Sequence, residues 1–292
     1  LAVMATDAFE NGRAAVAGRA RQGSRIRRVR TTAAVVGMLV ALPMLCLGLA
    51  VSGGPWAAPI AVLPLAALLL WFLGARGGLR ELGFPPPGGR SRAQRPAAGL
   101  LALLCAAALS GGSAAVFLAA GATVPLGVWL PRAGVFAALG AVVLGVLAAA
   151  LPEELVYRGV LVRLTLPLWP AALVIGLSGL LFCAAHLPNL LMGSGSWTWL
   201  GLRCAELLVL GSVLAWAAVR TGALWIPLGW HAGSNLAGVF VELVWVPQVA
   251  ALWPVAAVSI AGSLLVVPLV LLLERHPGAA GPAAAEAEPP AG

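Results

Sequence analysis

Lysine is absent from this sequence of 292 residues, and charge of either sign is scarce. All 18 basic residues are arginine, and charged residues make up only 10% of the chain. An ordinary soluble domain carries about 25%. Hydrophobic residues reach 61%, with a mean hydropathy of +0.98. This composition argues against a soluble enzyme and predicts a polytopic membrane protein.

Paired cysteine spacing is also missing. The four cysteines lie in or beside apolar runs: Cys46, Cys105, Cys183 and Cys204. No C-x-x-C pattern joins them, which excludes a disulfide framework and a cysteine-based zinc site. We interpret them as small buried hydrophobic residues.

The positive charge is concentrated at the N-terminal end, where seven arginines lie between Arg13 and Arg30. Nucleic-acid binding is one interpretation of such a cluster. The other is a cytoplasmic flank that obeys the positive-inside rule, and the apolar run that follows favours it. We therefore predict no nucleic-acid partner and a cytoplasmic segment over residues 1–31. The arginine- and alanine-rich usage suggests a bacterial source.

Long apolar runs predict the fold class: an all-α, polytopic membrane bundle of about eight transmembrane helices. Arginines between the runs favour cytoplasmic N- and C-termini in a multi-pass protein of the cell membrane, with Arg132 and Arg203 in outer loops. The membrane domain covers 32–274, and the tail, 275–292, is predicted to be disordered. The predicted spans are 32–51, 58–74, 98–120, 134–164, 171–188, 203–219, 223–242 and 252–273.

Two adjacent glutamates interrupt the fourth run in the stretch "LPEELVYRG". Pro152 cannot donate to the carbonyl of Ala148, so a kink is expected there. Neighbouring helical residues point about 100° apart, whereas residues four apart share a face. Glu154 is therefore expected to pair with Arg158, leaving Glu153 for another task. Tyr157 lies on the face of Glu153 and is a candidate donor to it. A purely structural clamp between helices is the alternative.

Two further constellations lie in later apolar runs. Phe182 and His186 are four apart in "LLFCAAHLPN", and His231 and Asn235 are four apart in "GALWIPLGWHAGSN". A single histidine on an apolar face is usually a satisfied core residue. Two histidines, an asparagine and a carboxylate on separate buried helices favour function, because polar groups in hydrocarbon are costly.

These residue types suit the hydrolysis of amide bonds by activated water. A buried glutamate can act as general base, and a histidine can orient the water. A second histidine and an asparagine can donate to a developing oxyanion. Water must then reach Glu153, which implies a cavity open to one side.

The motifs "EELVYRG", "FCAAH" and "HAGSN" resemble the three signatures of the CAAX protease and bacteriocin-processing family of intramembrane proteases, also called the Abi family. Those signatures are E-E-x-x-x-R, F-x-x-x-H and H-x-x-x-N/D. Their order and spacing are similar over roughly residues 135–240. The resemblance implies an eight-helix intramembrane endopeptidase, like the type II CAAX prenyl endopeptidases, that acts on a membrane-associated peptide or protein.

The resemblance also implies roles for individual residues. Glu153 would activate water with the help of His186, and His231 with Asn235 would stabilise the oxyanion. The remaining motif positions would support them: Glu154, Tyr157, Arg158 and Phe182. No cofactor is implied. Zinc is an alternative, although H-E-x-x-H is lacking and its ligands would have to come from three helices.

Two other functions remain open at this point, a noncatalytic immunity or scaffold protein of the same fold and a proton-coupled transporter. The depths of the candidate residues are also in tension. Counting along the predicted spans places His231 about nine residues from the inner side and His186 about fifteen, nearer the outer side. We expect tilted or offset helices to reconcile them.

Overall fold

A computed structural model describes residues 37, 82–84, 91–121, 123–125, 150–193, 196–247 and 252–275. The described chain is overwhelmingly helical, as predicted. One addition is a short antiparallel ribbon of β1 (Thr123–Pro125) and β2 (Trp245–Pro247), in which Val124 faces Val246. The predicted spans 32–51 and 58–74, most of the first half of 134–164, the segment 1–31 and the tail after 275 lie outside the described residues.

Three of the described helices are long and apolar enough to cross a membrane: Pro96–Phe117, Trp197–Thr221 and Leu252–Arg275. Their surfaces carry large exposed apolar side chains, such as Leu104 and Leu272, each 56% exposed. Such surfaces suit contact with lipid rather than water. The chain is therefore a membrane protein, as its composition predicted.

The bounds of the described helices differ by several residues from those of the predicted spans. The helices are α1 (Pro96–Ala119), α2 (Leu151–Glu154), α3 (Val162–Thr165), α4 (Ala171–Gly193), α5 (Trp197–Thr221), α6 (Trp225–Val244), α7 (Leu252–Leu264) and α8 (Val266–Arg275). The last predicted span is thus interrupted at Leu265. The sixth begins six residues earlier than predicted, because the turn residues before it end at Ser196, whose hydroxyl caps the N–H of Trp199.

The helix that carries the two glutamates widens immediately after them. Helix α2 continues into a π-helix over Leu155–Leu161 and then into α3. Pro152 lies in the first turn of α2, while Ala148 lies outside the described residues. The described departure from α-helical geometry is this π-helix, and the expected kink at Pro152 stays a prediction. Such segments are rare and often mark functional sites.

Helices α4 and α5 pack against each other through small residues. A Cβ added to Gly211 would lie 2.9 Å from the Cα of Gly179 and 3.2 Å from the Cβ of Phe182. The backbones can approach this closely only because both positions are glycine. The two helices are antiparallel, and Gly222 ends α5 with a φ of +67°.

Helices α1 and α6 make a second close contact, and they run in the same direction. A Cβ added to Gly229 would lie 1.9 Å from the carbonyl oxygen of Gly99. One turn further along, a Cβ on Gly233 would lie 2.3 Å from the carbonyl oxygen of Leu103. The matching steps of four residues on both helices place α6 in a fixed register on α1.

The start of α6 is buried inside the protein. Leu224 and Ile226 are 1% and 0% exposed, and the N–H of Leu224 donates to the carbonyl of Gly83 at 2.8 Å. The N-terminal end of α6 is therefore covered by another part of the chain. Our count of residues assumed that α6 begins at the membrane surface. His231, early in α6, and His186, late in α4, nevertheless both lie within 4 Å of Oε2 of Glu153.

Candidate active site

Glu154 is the centre of a buried hydrogen-bonded cluster. It is 1% exposed, and its Oε1 accepts from Nη1 of Arg158 at 2.9 Å and from Nδ1 of His231 at 2.8 Å. Arg158 is completely buried, and its Nη2 donates to the carbonyl of Gly211 on α5 at 3.2 Å. The predicted Glu154–Arg158 pair is thus confirmed, and it ties the π-helix to both α5 and α6.

His186 is fixed by its own helix. Its Nδ1 lies 2.8 Å from the backbone carbonyl of Phe182, one turn earlier in α4. A carbonyl can only accept, so this Nδ1 carries the hydrogen. In the neutral imidazole Nε2 is then a hydrogen-bond acceptor. The same reasoning applies to His231, whose Nδ1 donates to the carboxylate of Glu154.

Glu153 lies where the two histidines converge. Its Oε2 is 3.8 Å from Nε2 of His186 and 3.7 Å from Nε2 of His231. This Oε2 is buried and has no hydrogen-bond partner among the described residues. The whole Glu153 side chain is nevertheless 25% exposed, and that of His186 is 28% exposed. A carboxylate oxygen thus faces two imidazole nitrogens across gaps that are too long for direct hydrogen bonds.

Phe182 forms the apolar floor of the cluster. It is 0% exposed, and its ring meets those of His186 at 4.7 Å, His231 at 5.6 Å and Tyr157 at 5.7 Å between centroids. The guanidinium carbon of Arg158 lies 4.4 Å from the centroid of the same ring. A cation over an aromatic face is stabilised by the ring's quadrupole. One phenyl ring therefore packs against both imidazole rings and offsets part of the desolvation free energy of the buried Arg158 guanidinium.

Two of the predicted residues lie at the margin of this cluster. Asn235 is half-buried on α6, one turn after His231. Tyr157 is 4% exposed; its ring packs edge-on against Phe182, and its backbone carbonyl accepts from the hydroxyl of Ser178 at 3.2 Å. Its suggested donation to Glu153 remains a prediction.

Glu153 and the two histidines are donors of the types that zinc binds. Among the described residues, however, no three histidine, cysteine or carboxylate side chains lie close enough together to hold a metal ion. The separations of 3.7 and 3.8 Å are too long for direct hydrogen bonds, and a water lying beside the three groups can reach Oε2 of Glu153 and one Nε2.

The motif spacing and this geometry point to one family of proteins. Residues 135–237 match the Rce1-like family, whose model is described as type II CAAX prenyl endopeptidase Rce1-like. The match covers about a third of the chain and contains every candidate residue named above. It confirms the resemblance inferred from the three motifs. At the level of the family, it implies a hydrolase that cleaves CAAX peptides. No curated protein and no solved structure matches the chain.

Sequence reasoning missed three features of the Rce1-like segment. It did not find the hydrogen bond between His231 and Glu154, the central position of the Phe182 ring, or the contact of Arg158 with Gly211. The four-residue spacing within each motif predicts which residues share a face of one helix, but it does not predict which helices contact each other. The glycines "SGL" at 178–180 and "LGS" at 210–212 were the available hint, because small residues in apolar helices mark close packing.

Proposed function

We propose that this protein is an intramembrane endopeptidase that hydrolyses a peptide bond of a membrane-associated substrate with water activated by Glu153. The observation that carries the proposal is the convergence of two fixed imidazoles on one unpartnered carboxylate oxygen. Each Nδ1 is already committed to an acceptor, so both Nε2 atoms face Oε2 of Glu153. The match to the Rce1-like family supports the same reaction class.

A water molecule between these groups has a natural orientation. It can donate one hydrogen to Oε2 of Glu153 and the other to Nε2 of His186, which leaves an oxygen lone pair for attack on the scissile carbonyl carbon. Glu153 takes the proton as the tetrahedral intermediate forms. The same carboxylic acid then protonates the amine that leaves when the C–N bond breaks. Atoms and charge balance without any further reactant.

The oxyanion of that intermediate needs hydrogen-bond donors. The amide of Asn235 can supply one in any protonation state. His231 can supply another from Nε2 only as an imidazolium, because its Nδ1 hydrogen is already given to Glu154. Glu154 would thus position His231 through this hydrogen bond.

We further propose, from the apolar runs and the distribution of arginines, that the active site lies within a bundle of about eight spans in the cell membrane with both termini in the cytoplasm. Glu153 and His186 are each about one quarter exposed in the described part of the chain, which supports access of water to these side chains. Neither a noncatalytic immunity or scaffold role nor proton transport requires a buried carboxylate oxygen that has no hydrogen-bond partner among the described residues, as Oε2 of Glu153 is. Hydrolysis by activated water does require such an oxygen.

The test compares wild type with Glu153→Gln in detergent micelles. The substrates form a library of peptides with lipidated C-termini, and products are identified by mass spectrometry. Gln keeps the volume and one acceptor oxygen but cannot take a proton from water, so we expect cleavage to fall by at least about 10²-fold. Glu274→Gln, which alters a carboxylate paired with Arg220 at the end of α8, is the matched control and should leave cleavage unchanged.

Undiminished cleavage by a folded Glu153→Gln variant would contradict the assignment. A parallel series with a chelator tests the zinc alternative, since activity lost with chelator and restored by zinc alone would identify a metal enzyme. Absence of cleavage by folded wild type across the library would favour the immunity or scaffold role.

A further inference from the structure

Three elements meet at the end of the bundle where α5 finishes. A single 3₁₀ turn, Arg92–Gln94, precedes α1, and Nε2 of Gln94 donates to the carbonyl of Thr221, the last residue of α5, at 2.9 Å. The same turn packs against α8. Helix α8 is also joined to α5 directly, because Nε of Arg220 donates to Oε2 of Glu274 at 3.0 Å. The 3₁₀ turn and the C-terminal ends of α5 and α8 therefore form one junction.

Positive charge dominates this junction. Its four arginines and its one carboxylate among the described residues are Arg92, Arg95, Arg220, Glu274 and Arg275, and we call this group the basic junction. Glu274 already pairs with Arg220, and the other three arginines have no carboxylate within ion-pairing distance in the part of the chain that the structure describes. Like charges repel one another, so an anion that lies among these side chains is attracted to all of them.

Two of the arginines stand on one packed turn of backbone. The N–H of Arg95 donates to the carbonyl of Arg92 at 3.2 Å, and Ala93 between them is 0% exposed and belongs to the core. Arg92 is exposed, whereas Arg95 is half-buried. Nε of Arg95 is buried and has no hydrogen-bond partner among the described residues. The turn thus fixes the base of both side chains and leaves a donor of Arg95 unused.

The basic junction borders an apolar surface. Arg275 is the last residue of Leu252–Arg275, a segment long and apolar enough to cross a membrane, so it lies where a span meets the lipid headgroups. Leu271 and Leu272, about one turn before it, are 37% and 56% exposed. Leu271 is four residues from Arg275 and therefore shares its face of α8. Exposed leucines and guanidinium groups are thus neighbours, as the acyl chains and the phosphate are in a phospholipid.

The chemistry of these groups selects one kind of ligand. A guanidinium binds phosphate oxygens through paired N–H···O bonds, and basic pockets between membrane helices bind anionic headgroups. We propose that the basic junction binds the headgroup phosphate of an anionic phospholipid, whose acyl chains lie along the exposed leucines of α8. Free phosphate would use the arginines but not the leucines. A zwitterionic lipid would bring a cationic group of its own, which the uncompensated arginines repel.

Binding is measured on the full chain in detergent by native mass spectrometry, with dioleoyl phosphatidylglycerol and dioleoyl phosphatidylcholine as probes. We expect wild type to bind phosphatidylglycerol at least about tenfold more tightly, since each arginine at the membrane surface contributes about a factor of five. The variant Arg92→Gln/Arg275→Gln should lose most of this preference. The charge-matched control, Arg13→Gln/Arg19→Gln, removes two arginines from the N-terminal segment and should keep it.

A second readout is the melting temperature of the same proteins. Arg92 and Arg275 are exposed and have no ion-pair partner among the described residues, so their replacement should leave the melting temperature without lipid unchanged. A ligand that binds only the folded state raises that temperature. Phosphatidylglycerol should therefore stabilise wild type and the control more than it stabilises Arg92→Gln/Arg275→Gln.

Both readouts need no turnover, so this inference goes beyond the proposed endopeptidase function and is tested independently of it. Equal affinity of wild type for the two lipids would overturn it. So would an unchanged preference in Arg92→Gln/Arg275→Gln, or an equal loss in the N-terminal control, which would assign the effect to net charge. Inorganic phosphate in excess should not displace bound phosphatidylglycerol, and displacement would show that the junction is a site for free phosphate instead.

Discussion

Replacement of Glu154 by glutamine tests the buried cluster most directly. The carboxylate of Glu154 is the counter-ion of Arg158, which is completely buried, and it also accepts from His231. Gln keeps one acceptor oxygen at nearly the same place but removes the negative charge. Arg158 is then left without a counter-ion in an apolar site, and breaking a buried pair in this way costs about 3–5 kcal/mol.

Two independent contributions agree with this magnitude. Each hydrogen bond to a charged group is worth about 1.5–3 kcal/mol, and Glu154 accepts two of them. The glutamine oxygen can retain one in weakened form, so the loss stays below the sum of both. A loss of 3–5 kcal/mol would be a large part of a total stability of about 5–15 kcal/mol.

The measurement is unfolding in mixed micelles by titration with a denaturing detergent, followed by tryptophan fluorescence. Glu274→Gln is the control, since its pair with Arg220 is partly exposed and should be worth less than about 1 kcal/mol. The double variant Glu154→Gln/Arg158→Met should recover part of the loss, because it removes the stranded charge. If Glu154→Gln unfolds within about 1 kcal/mol of wild type, the cluster does not stabilise the fold as described here.

Two further predictions concern α6. Asn235→Ala should lower kcat by about 10²-fold or more if its amide stabilises the oxyanion, whereas a change confined to KM in steady-state assays would instead indicate a role in binding. Gly229→Ala should destabilise the protein severely and abolish activity, because the new methyl group would lie 1.9 Å from the carbonyl oxygen of Gly99. The control, Gly176→Ala in α4, meets nothing within 4 Å and should be neutral or stabilising by up to about 1 kcal/mol; equal melting temperatures for the two variants would refute the close contact.

Contacts within one helix were predictable from the sequence. Glu154 and Arg158 are four residues apart, and this spacing alone brought them to one face and correctly predicted their pair. The spacing of Phe182 and His186 likewise placed the ring beside the imidazole, and the structure has them at 4.7 Å. Helix periodicity depends only on local backbone geometry, so it predicts contacts within a helix even when the packing of the helices is unknown.

Contacts between helices were not predictable in the same way. The bond from His231 to Glu154 joins α6 to α2, and the hydropathy of residues 223–230 does not indicate which helix packs against them. The position of Arg203 was wrong for a related reason. A charged residue marks the edge of an apolar run, so the predicted span began there, although the helix itself starts at Trp197, after the capping hydroxyl of Ser196.

The close contact of α1 with α6 limits how far the segment that matches the Rce1-like family can be moved between proteins. The family match begins at residue 135, whereas α1 ends at Ala119. Yet His231 is held in place by glycines of α6 that fit against the backbone of α1. The segment with all the reactive groups is therefore not a portable module. A chimera that transplants 135–237 alone would carry the reactive groups but lack the scaffold that sets their spacing.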